Sequence, residues 1–336
     1  MALGKGGGVI RSVGKSWGWL ALMGSGSAVV GATFVSPSAA PARTEVASAS
    51  SSECGSCHTE ELSGWMGSMH QRAWLDPLVH HEMHGNERAY CRDCHNPTGA
   101  AEEGITCVDC HVRDGELVAA GTSAEAQEAH PLRVDPDFAG PATCEGCHQF
   151  QFPGAHQVER LRYDPNEWLQ DTHAEWRGSE AALRGEDCAS CHGVHRLRGL
   201  DDPELLSEAV AIEARRVGEG RVIVRLTAGR IGHDFPTGDV FRQVEVAVWD
   251  ASNSESRDTV YLGRVFSAEG SVDGLSREVI DNRVPVDGRR SVALQLEGEP
   301  ESLGWSVSLL RMSPQRARVH GVSDQMNRIT LERGEL

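Results

Sequence analysis

The chain has 336 residues, 49 acidic against 32 basic, for a formal charge of −17, with 39% hydrophobic and only 5% aromatic residues. At roughly 150 residues per domain this length predicts about two domains. So acidic a chain repels nucleic acid and anionic lipid surfaces, which argues against DNA-binding or membrane-surface roles, and with Lys5 and Lys15 as its lysines no P-loop or Schiff-base lysine exists beyond the N-terminal segment.

Residues 1–42 predict an export signal. Lys5, Arg11 and Lys15 form a positive start, residues 17–35 are apolar but diluted by Gly and Ser, and Ala40-Pro41-Ala42 offers a small-residue cleavage site. The alternative is an uncleaved N-terminal membrane anchor, since about 19 residues is near the minimum for a span. Ala49-Ser50-Ser51-Ser52-Glu53, before Cys54, lacks the apolar lead-in of a lipoprotein box.

Composition then divides the chain at about residue 203. Residues 43–203 hold 22 Leu, Ile, Val and Phe among 161, and residues 204–336 hold 38 among 133. The first share lies below the roughly 20% under which a highly charged chain is usually disordered. Something other than side chains must fill that core. All 10 Cys and 13 of the 15 His lie in this part, leaving His233 and His320 beyond it.

An even cysteine count in an exported chain would ordinarily predict disulfides. The spacing says otherwise, because every cysteine belongs to a Cys-x-x-Cys pair followed at once by histidine: Cys54/Cys57/His58, Cys91/Cys94/His95, Cys107/Cys110/His111, Cys144/Cys147/His148 and Cys188/Cys191/His192. This is the pattern of covalent c-type haem attachment. The cysteines form thioether bonds to the haem vinyl groups, and the adjacent imidazole lies under the ring, within reach of iron. A zinc ribbon needs paired units about 15–20 residues apart, whereas the intervals here are 33, 12, 33 and 40 residues, and zinc does not require the trailing histidine. Five haem c groups in this part would replace the missing apolar side chains as core. They would also lie close enough together to exchange electrons.

Each iron has a second axial position, and ten further histidines could fill it. His70 in Trp65-Met66-Gly67-Ser68-Met69-His70 and His173 in Trp168-Leu169-Gln170-Asp171-Thr172-His173 share a Trp-x4-His context, so the region reads as two related blocks. Met66, Met69 and Met83 are alternative ligands that would raise potentials.

Cys54-Gly-Ser-Cys-His58 followed by Trp65-x-x-Ser68-x-His70, and Gly104-Ile-Thr-Cys107-Val-Asp-Cys110-His111, resemble the multihaem c-type cytochrome family typified by the tetrahaem electron acceptor of hydroxylamine oxidoreductase. His195-Arg-Leu-Arg-Gly199-Leu-Asp-Asp-Pro203, Gly232-His233-Asp-Phe-Pro236-Thr237-Gly238 and Asp281-Asn-Arg-Val-Pro285 are similar to a subgroup with a C-terminal β-domain. The resemblance implies histidine as the usual distal ligand, carried onto His70, His195 and His233. It also places a distal histidine at His130, after the third motif. His173 departs from the family pattern, with Asp171 where Ser is commoner, and rests on the internal repeat. His84 and His156 are reserves.

Beyond residue 203 the pattern turns to period two. Val222/Val224/Leu226, Val244/Val246/Val248 and Val292/Leu294/Leu296 alternate with their neighbours, while Ser254, Gly263, Gly270, Asp287-Gly288 and Gly298 punctuate the runs. This predicts an antiparallel β-sandwich over 204–336. Pro236 and Gly238 set His233 in a tight loop suited to reaching a haem of the first domain.

The expectation is an α + β two-domain protein: a mainly α-helical, loop-rich pentahaem domain over 43–203 and the β-sandwich after it. It would be periplasmic or otherwise exported, would carry single electrons, and would meet redox partner proteins that present a basic docking face. A reductase or oxidase of a small nitrogen or sulfur compound is the competing class. It needs one open haem, and no substrate-specific site is evident in the sequence. A third class is a subunit of a cytochrome polymer.

Overall fold

The computed structural model describes residues 49–79, 89–100, 102–158 and 161–336. The export signal, His80, His81, Met83 and His84 lie outside the described residues. Among the described residues no helix is long and apolar enough to cross a membrane.

The cysteine-rich part is a series of short helices: α1 (Ser51–Gly55), α2 (Thr59–Trp65), α3 (Ala89–His95), α4 (Cys107–His111), α5 (Ala124–Ala129), α6 (Pro141–His148), α7 (Thr172–Arg177), α8 (Glu180–Leu183) and α9 (Cys188–His192). Every haem motif lies on one of these or runs off its end. Local chemistry starts them there. Ser50 Oγ accepts the Glu53 N–H at 3.2 Å and Asp187 Oδ1 accepts the Ser190 N–H at 2.8 Å, while Pro141 opens α6 with its fixed φ. Helices of this length are marginal alone and depend on tertiary contacts.

Two small sheets that the alternation pattern did not predict interleave with the helices. One joins β1 (Val112–Arg113), β2 (Glu116–Ala119) and β3 (Arg133–Val134); the other joins β4 (Phe150–Gln151) and β5 (Trp168–Gln170). Runs of two to four residues are too short to display a period.

After α10 (Pro203–Ala209) the chain becomes strands. A three-stranded antiparallel sheet runs β12-β7-β6, from β6 (Val210–Gly218), β7 (Arg221–Ala228) and β12 (Arg289–Gln295). A four-stranded one runs β14-β13-β8-β9, from β8 (Gln243–Asp250), β9 (Asn253–Leu262), β13 (Leu303–Leu310) and β14 (Arg328–Glu335). A ribbon of β10 (Arg264–Ser267) and β11 (Arg277–Asp281) completes them. Val222, Val224 and Leu226 of β7, Val244, Val246 and Val248 of β8, and Val292 and Leu294 of β12 share one buried cluster with Leu303, Val307 and Leu309 of β13. The alternating residues are thus the core. Ser254 lies inside β9 rather than between strands, because the β8–β9 turn closes earlier, with Asp250 Oδ1 accepting the Ser252 N–H at 2.8 Å. Glu245, on the other face of β8, is buried but paired with Arg257 at 2.9 Å and with Arg328.

The sheets and the cysteine-rich segments pack as one unit that runs to Leu336. Arg264 Nη2 donates to Trp168 O at 2.8 Å, Arg277 pairs with Asp164 at 2.7 Å, and the Phe152 ring stacks on Tyr163 at 4.2 Å and meets Phe266 edge-on at 5.3 Å.

Candidate haem-binding site

The five motifs form one contiguous cluster. Across motifs, the Cys54 thiol neighbours that of Cys107, Cys94 that of Cys147 and Cys144 that of Cys188, and Cys110 lies near Cys147. These contacts link the first motif to the third, the third to the fourth, and the fourth to the second and fifth. None of the ten cysteines is in a disulfide.

Four pairs of histidine rings face each other: His58 with His130 (6.1 Å between centroids), His70 with His148 (6.1 Å), His111 with His195 (6.2 Å) and His192 with His233 (6.3 Å). Two imidazoles on opposite sides of one metal, each about 2 Å from it, have centroids about 6 Å apart. The spacing fits a shared iron in all four pairs.

Hydrogen bonds at Nδ1 orient five of the rings, whereas the buried Nδ1 atoms of His70 and His130 have no such partner. His95 Nδ1 lies 3.1 Å from Ala73 O, His111 Nδ1 2.9 Å from Val118 O, His192 Nδ1 2.6 Å from Arg198 O and His233 Nδ1 3.0 Å from Asp234 O. His148 Nδ1 stands 3.2 Å from Gln170 Oε1. A ring that donates Nδ1–H to a carbonyl keeps the Nε2 lone pair for a metal and has its orientation fixed. Burial first, then neighbouring histidines, pushes His70 down to about 4. Burial likewise pushes His233 down to about 4. Both are therefore neutral imidazoles at neutral pH, the form that ligates.

The turn that carries His70 is held by the segment before the third motif. Ile105 N–H donates to His70 O at 2.9 Å and Gly104 N–H to Gln71 O at 2.8 Å, and a Cβ on Gly104 would fall 2.4 Å from His70 O. Only glycine allows so close an approach. Trp65 Nε1 donates to Ile105 O at 2.9 Å, and Trp176 Nε1 to Glu186 O at 2.9 Å. Each indole thus anchors the residue two before a motif, Cys107 or Cys188, so the structural counterpart of Trp65 is Trp176. Trp168, the sequence-based counterpart, is 39% exposed.

His173 stands apart from the four pairs. It is buried, its ring lies 5.5 Å from that of Trp176, and its Nδ1 is 3.5 Å from Glu145 Oε1 without forming a hydrogen bond. Among the described residues no histidine ring faces that of His95 in the manner of the four pairs. Met66 is 62% exposed, and the Met69 sulfur is engaged by Arg72 Nη2 at 3.5 Å.

The His233 loop rests on residues that sequence reasoning did not single out. Thr172 Oγ1 and Thr237 Oγ1 share a hydrogen bond of 2.7 Å, Glu175 accepts the Asp234 N–H at 3.2 Å, and Arg283 pairs with Glu175 and Asp281 at 2.7 Å each. Burial pushes the Glu175 carboxyl up against the opposing pull of Arg283. No spacing rule connects residue 175 to residue 283; the fold alone brings them together.

Residues 44–202 match the family model described as outer membrane cytochrome MtrC/MtrF-like, domains II/IV. The fold is similar to that of a penta-haem cytochrome c552 from Thermochromatium tepidum at 16% sequence identity and a TM-score of 0.66, over 87% of this chain and 99% of that one. No curated protein sequence matches significantly. Joined to the five Cys-x-x-Cys-His motifs, these findings support a multihaem c-type cytochrome of mixed α/β architecture. The motifs and these likenesses agree with covalently bound haem c as cofactor and with electron transfer as the general role.

Proposed function

We propose that this protein is an exported pentahaem cytochrome that carries single electrons through closely packed, bis-histidine haems. This keeps 43–203 as the haem domain, 204–336 as a β-sandwich, the likeness to the family of the tetrahaem acceptor of hydroxylamine oxidoreductase carried by residues 54–70 and 104–111, and the β-domain subgroup marked by Gly232-His233-Asp234-Phe235-Pro236-Thr237-Gly238. The outer-membrane character of the family matched by residues 44–202 speaks for export.

Haem c supplies an iron that gains and loses one electron at a potential set by its axial ligands and surroundings. The chain's part is to anchor, ligate and pack. The ten cysteines anchor, and His58, His95, His111, His148 and His192 are the proximal ligands. His130, His70, His195 and His233 are the distal partners of His58, His148, His111 and His192. The observation that carries this is the set of four facing ring pairs, each within 0.2 Å of the others in centroid spacing, from 6.1 to 6.3 Å. His173 stays in the reading as the fifth distal histidine on the sequence repeat alone.

The test is a count of high-spin against low-spin haem in the ferric protein, by electron paramagnetic resonance. Five low-spin haems, with cyanide and carbon monoxide binding slowly and incompletely, are expected of a carrier. One haem that binds either ligand rapidly and stoichiometrically, together with turnover of hydroxylamine, nitrite or a sulfur oxyanion, would make the protein a reductase or oxidase instead.

A further inference from the structure

Among the five rings held at Nδ1, one acceptor differs in kind. His95, His111, His192 and His233 each face a backbone carbonyl, whereas His148 faces a side chain, Gln170 Oε1 at 3.2 Å. A backbone carbonyl stays the same whatever side chain its residue carries, but the acceptor at His148 is set by the amino acid at position 170. If Nε2 of His148 is to keep its lone pair for iron, Nδ1 must carry the proton, and Gln170 must offer its oxygen.

The backbone is fixed on both sides of Gln170. β5 ends on this residue and pairs it with Phe150 of β4, two residues after His148. Before it, Arg264 of β10 takes two carbonyls, with Nη2 to Trp168 O at 2.8 Å and Nη1 to Leu169 O at 3.4 Å. After it, Asp171 accepts from Gln149 Nε2 at 2.6 Å, and Gln149 Oε1 accepts the Ala174 N–H at 2.9 Å. The amide thus reaches the ring from a braced strand beside the end of α6. The fourth motif also stands between two others: α9 of the fifth packs on α6, and Tyr90 of α3 donates to Gln151 O at 2.8 Å.

We propose that Gln170 is a positioning residue that sets the reduction potential of the haem on the fourth motif, acting through the ring of His148. This rests on His148 as an axial ligand. A stronger acceptor at Nδ1 draws the proton from the ring, makes the imidazole a better donor to iron and favours the ferric state. A neutral amide lies between the extremes, so it holds the potential above what a carboxylate would give and below what an apolar side chain would give. For a haem with neighbours on two sides, that potential governs how electrons divide between them.

The experiment is a spectrally resolved potentiometric titration of the full-length holoprotein, with electron paramagnetic resonance of the ferric state. Gln170→Glu, nearly equal in size, should move the midpoint of one haem negative and shift the g values of one low-spin signal. Gln170→Leu should move the same midpoint positive. Both should keep five covalent haems and the wild-type spin states. Gln151→Glu places a carboxylate on the adjoining strand, at an exposed side chain bonded to Asn166 O at 3.2 Å rather than to a ring, and should shift that midpoint much less. Unchanged midpoints in Gln170→Glu, shifts of the same sign in the Glu and Leu variants, or an equal shift in Gln151→Glu would overturn the proposal. So would a high-spin haem in Gln170→Glu, which would make Gln170 only a brace that keeps the ring on iron. Should Gln170→Leu not fold, the Glu variant compared with Gln151→Glu decides. The displaced haem should be the one that His70→Ala turns high-spin. If His70→Ala leaves every haem low-spin while Gln170→Glu still displaces one midpoint, the pairing with His70 fails and the role of Gln170 stands.

Discussion

His192, on the last turn of α9, and His233, in the loop between β7 and β8, face each other with centroids 6.3 Å apart and planes 20° from parallel. Composition assigns them to different parts of the chain, yet the proposed ligation makes them one ligand pair. A metal bond between them would tie the helical segments to the sheets. Removing either ring would then cost both a ligand and an attachment.

His233→Ala is accordingly expected to keep five covalent haems, turn one of them high-spin, and make the attachment of the β-rich part more susceptible to limited proteolysis. His320→Ala should change neither. Electron paramagnetic resonance with a timed digest checks both effects, and an unchanged low-spin spectrum in the His233 variant would return this ring to an ordinary buried histidine.

Because all 10 cysteines lie in Cys-x-x-Cys-His motifs, the denatured mature chain should carry five haems by intact mass. Substituting Cys57 or Cys191 should remove or destabilise one. A mass equal to the bare polypeptide, or thiol reagents that label most cysteines after denaturation, would contradict haem attachment altogether.

Asp202 links helix capping to haem ligation. Its Oδ1 accepts the Leu205 N–H at 3.0 Å to cap α10, its Oδ2 accepts from Arg198 Nε at 2.7 Å, and Arg198 O receives His192 Nδ1 at 2.6 Å. Asp202→Ala should lower stability by about 1 kcal/mol from the lost cap. The Arg198 hydrogen bonds hold the Asp202 carboxyl well below the usual carboxylate range. Its folded pKa is thus depressed, so the contribution is present above the unfolded value of about 4 and fades as pH falls through the folded one. Denaturation at neutral and acidic pH should show the wild-type advantage narrowing in acid; an advantage that grows in acid would exclude this role.

The charge of −17 predicts a partner with a basic face. The first motif is well placed to meet one: Cys57 is exposed, the His58 side chain is 54% exposed, and Glu53, Glu60 and Glu61 are exposed around it. Electron-transfer rates measured against ionic strength should fall with salt for a basic donor and exceed those of an acidic one. A faster acidic donor would mean that net charge does not select the partner.

The residues proposed to anchor haem are legible in the sequence because the attachment chemistry is local. Two thioethers and one axial imidazole must come from five consecutive residues, so Cys188 to His192 announce themselves. The strands of the sheets were legible for a similar reason, since Val222, Val224 and Leu226 point one way by the geometry of a single strand. Pairing was not legible. Which ring faces His148 depends on a chain crossing tens of residues away, and nothing in the Trp-x4-His repeat distinguishes His70, which faces a proximal ring, from His173, which lies beside Trp176. Glu175 was invisible for the same reason. A glutamate becomes a buried brace only when packing removes water and places partners from distant segments against it, and that is decided by the tertiary structure.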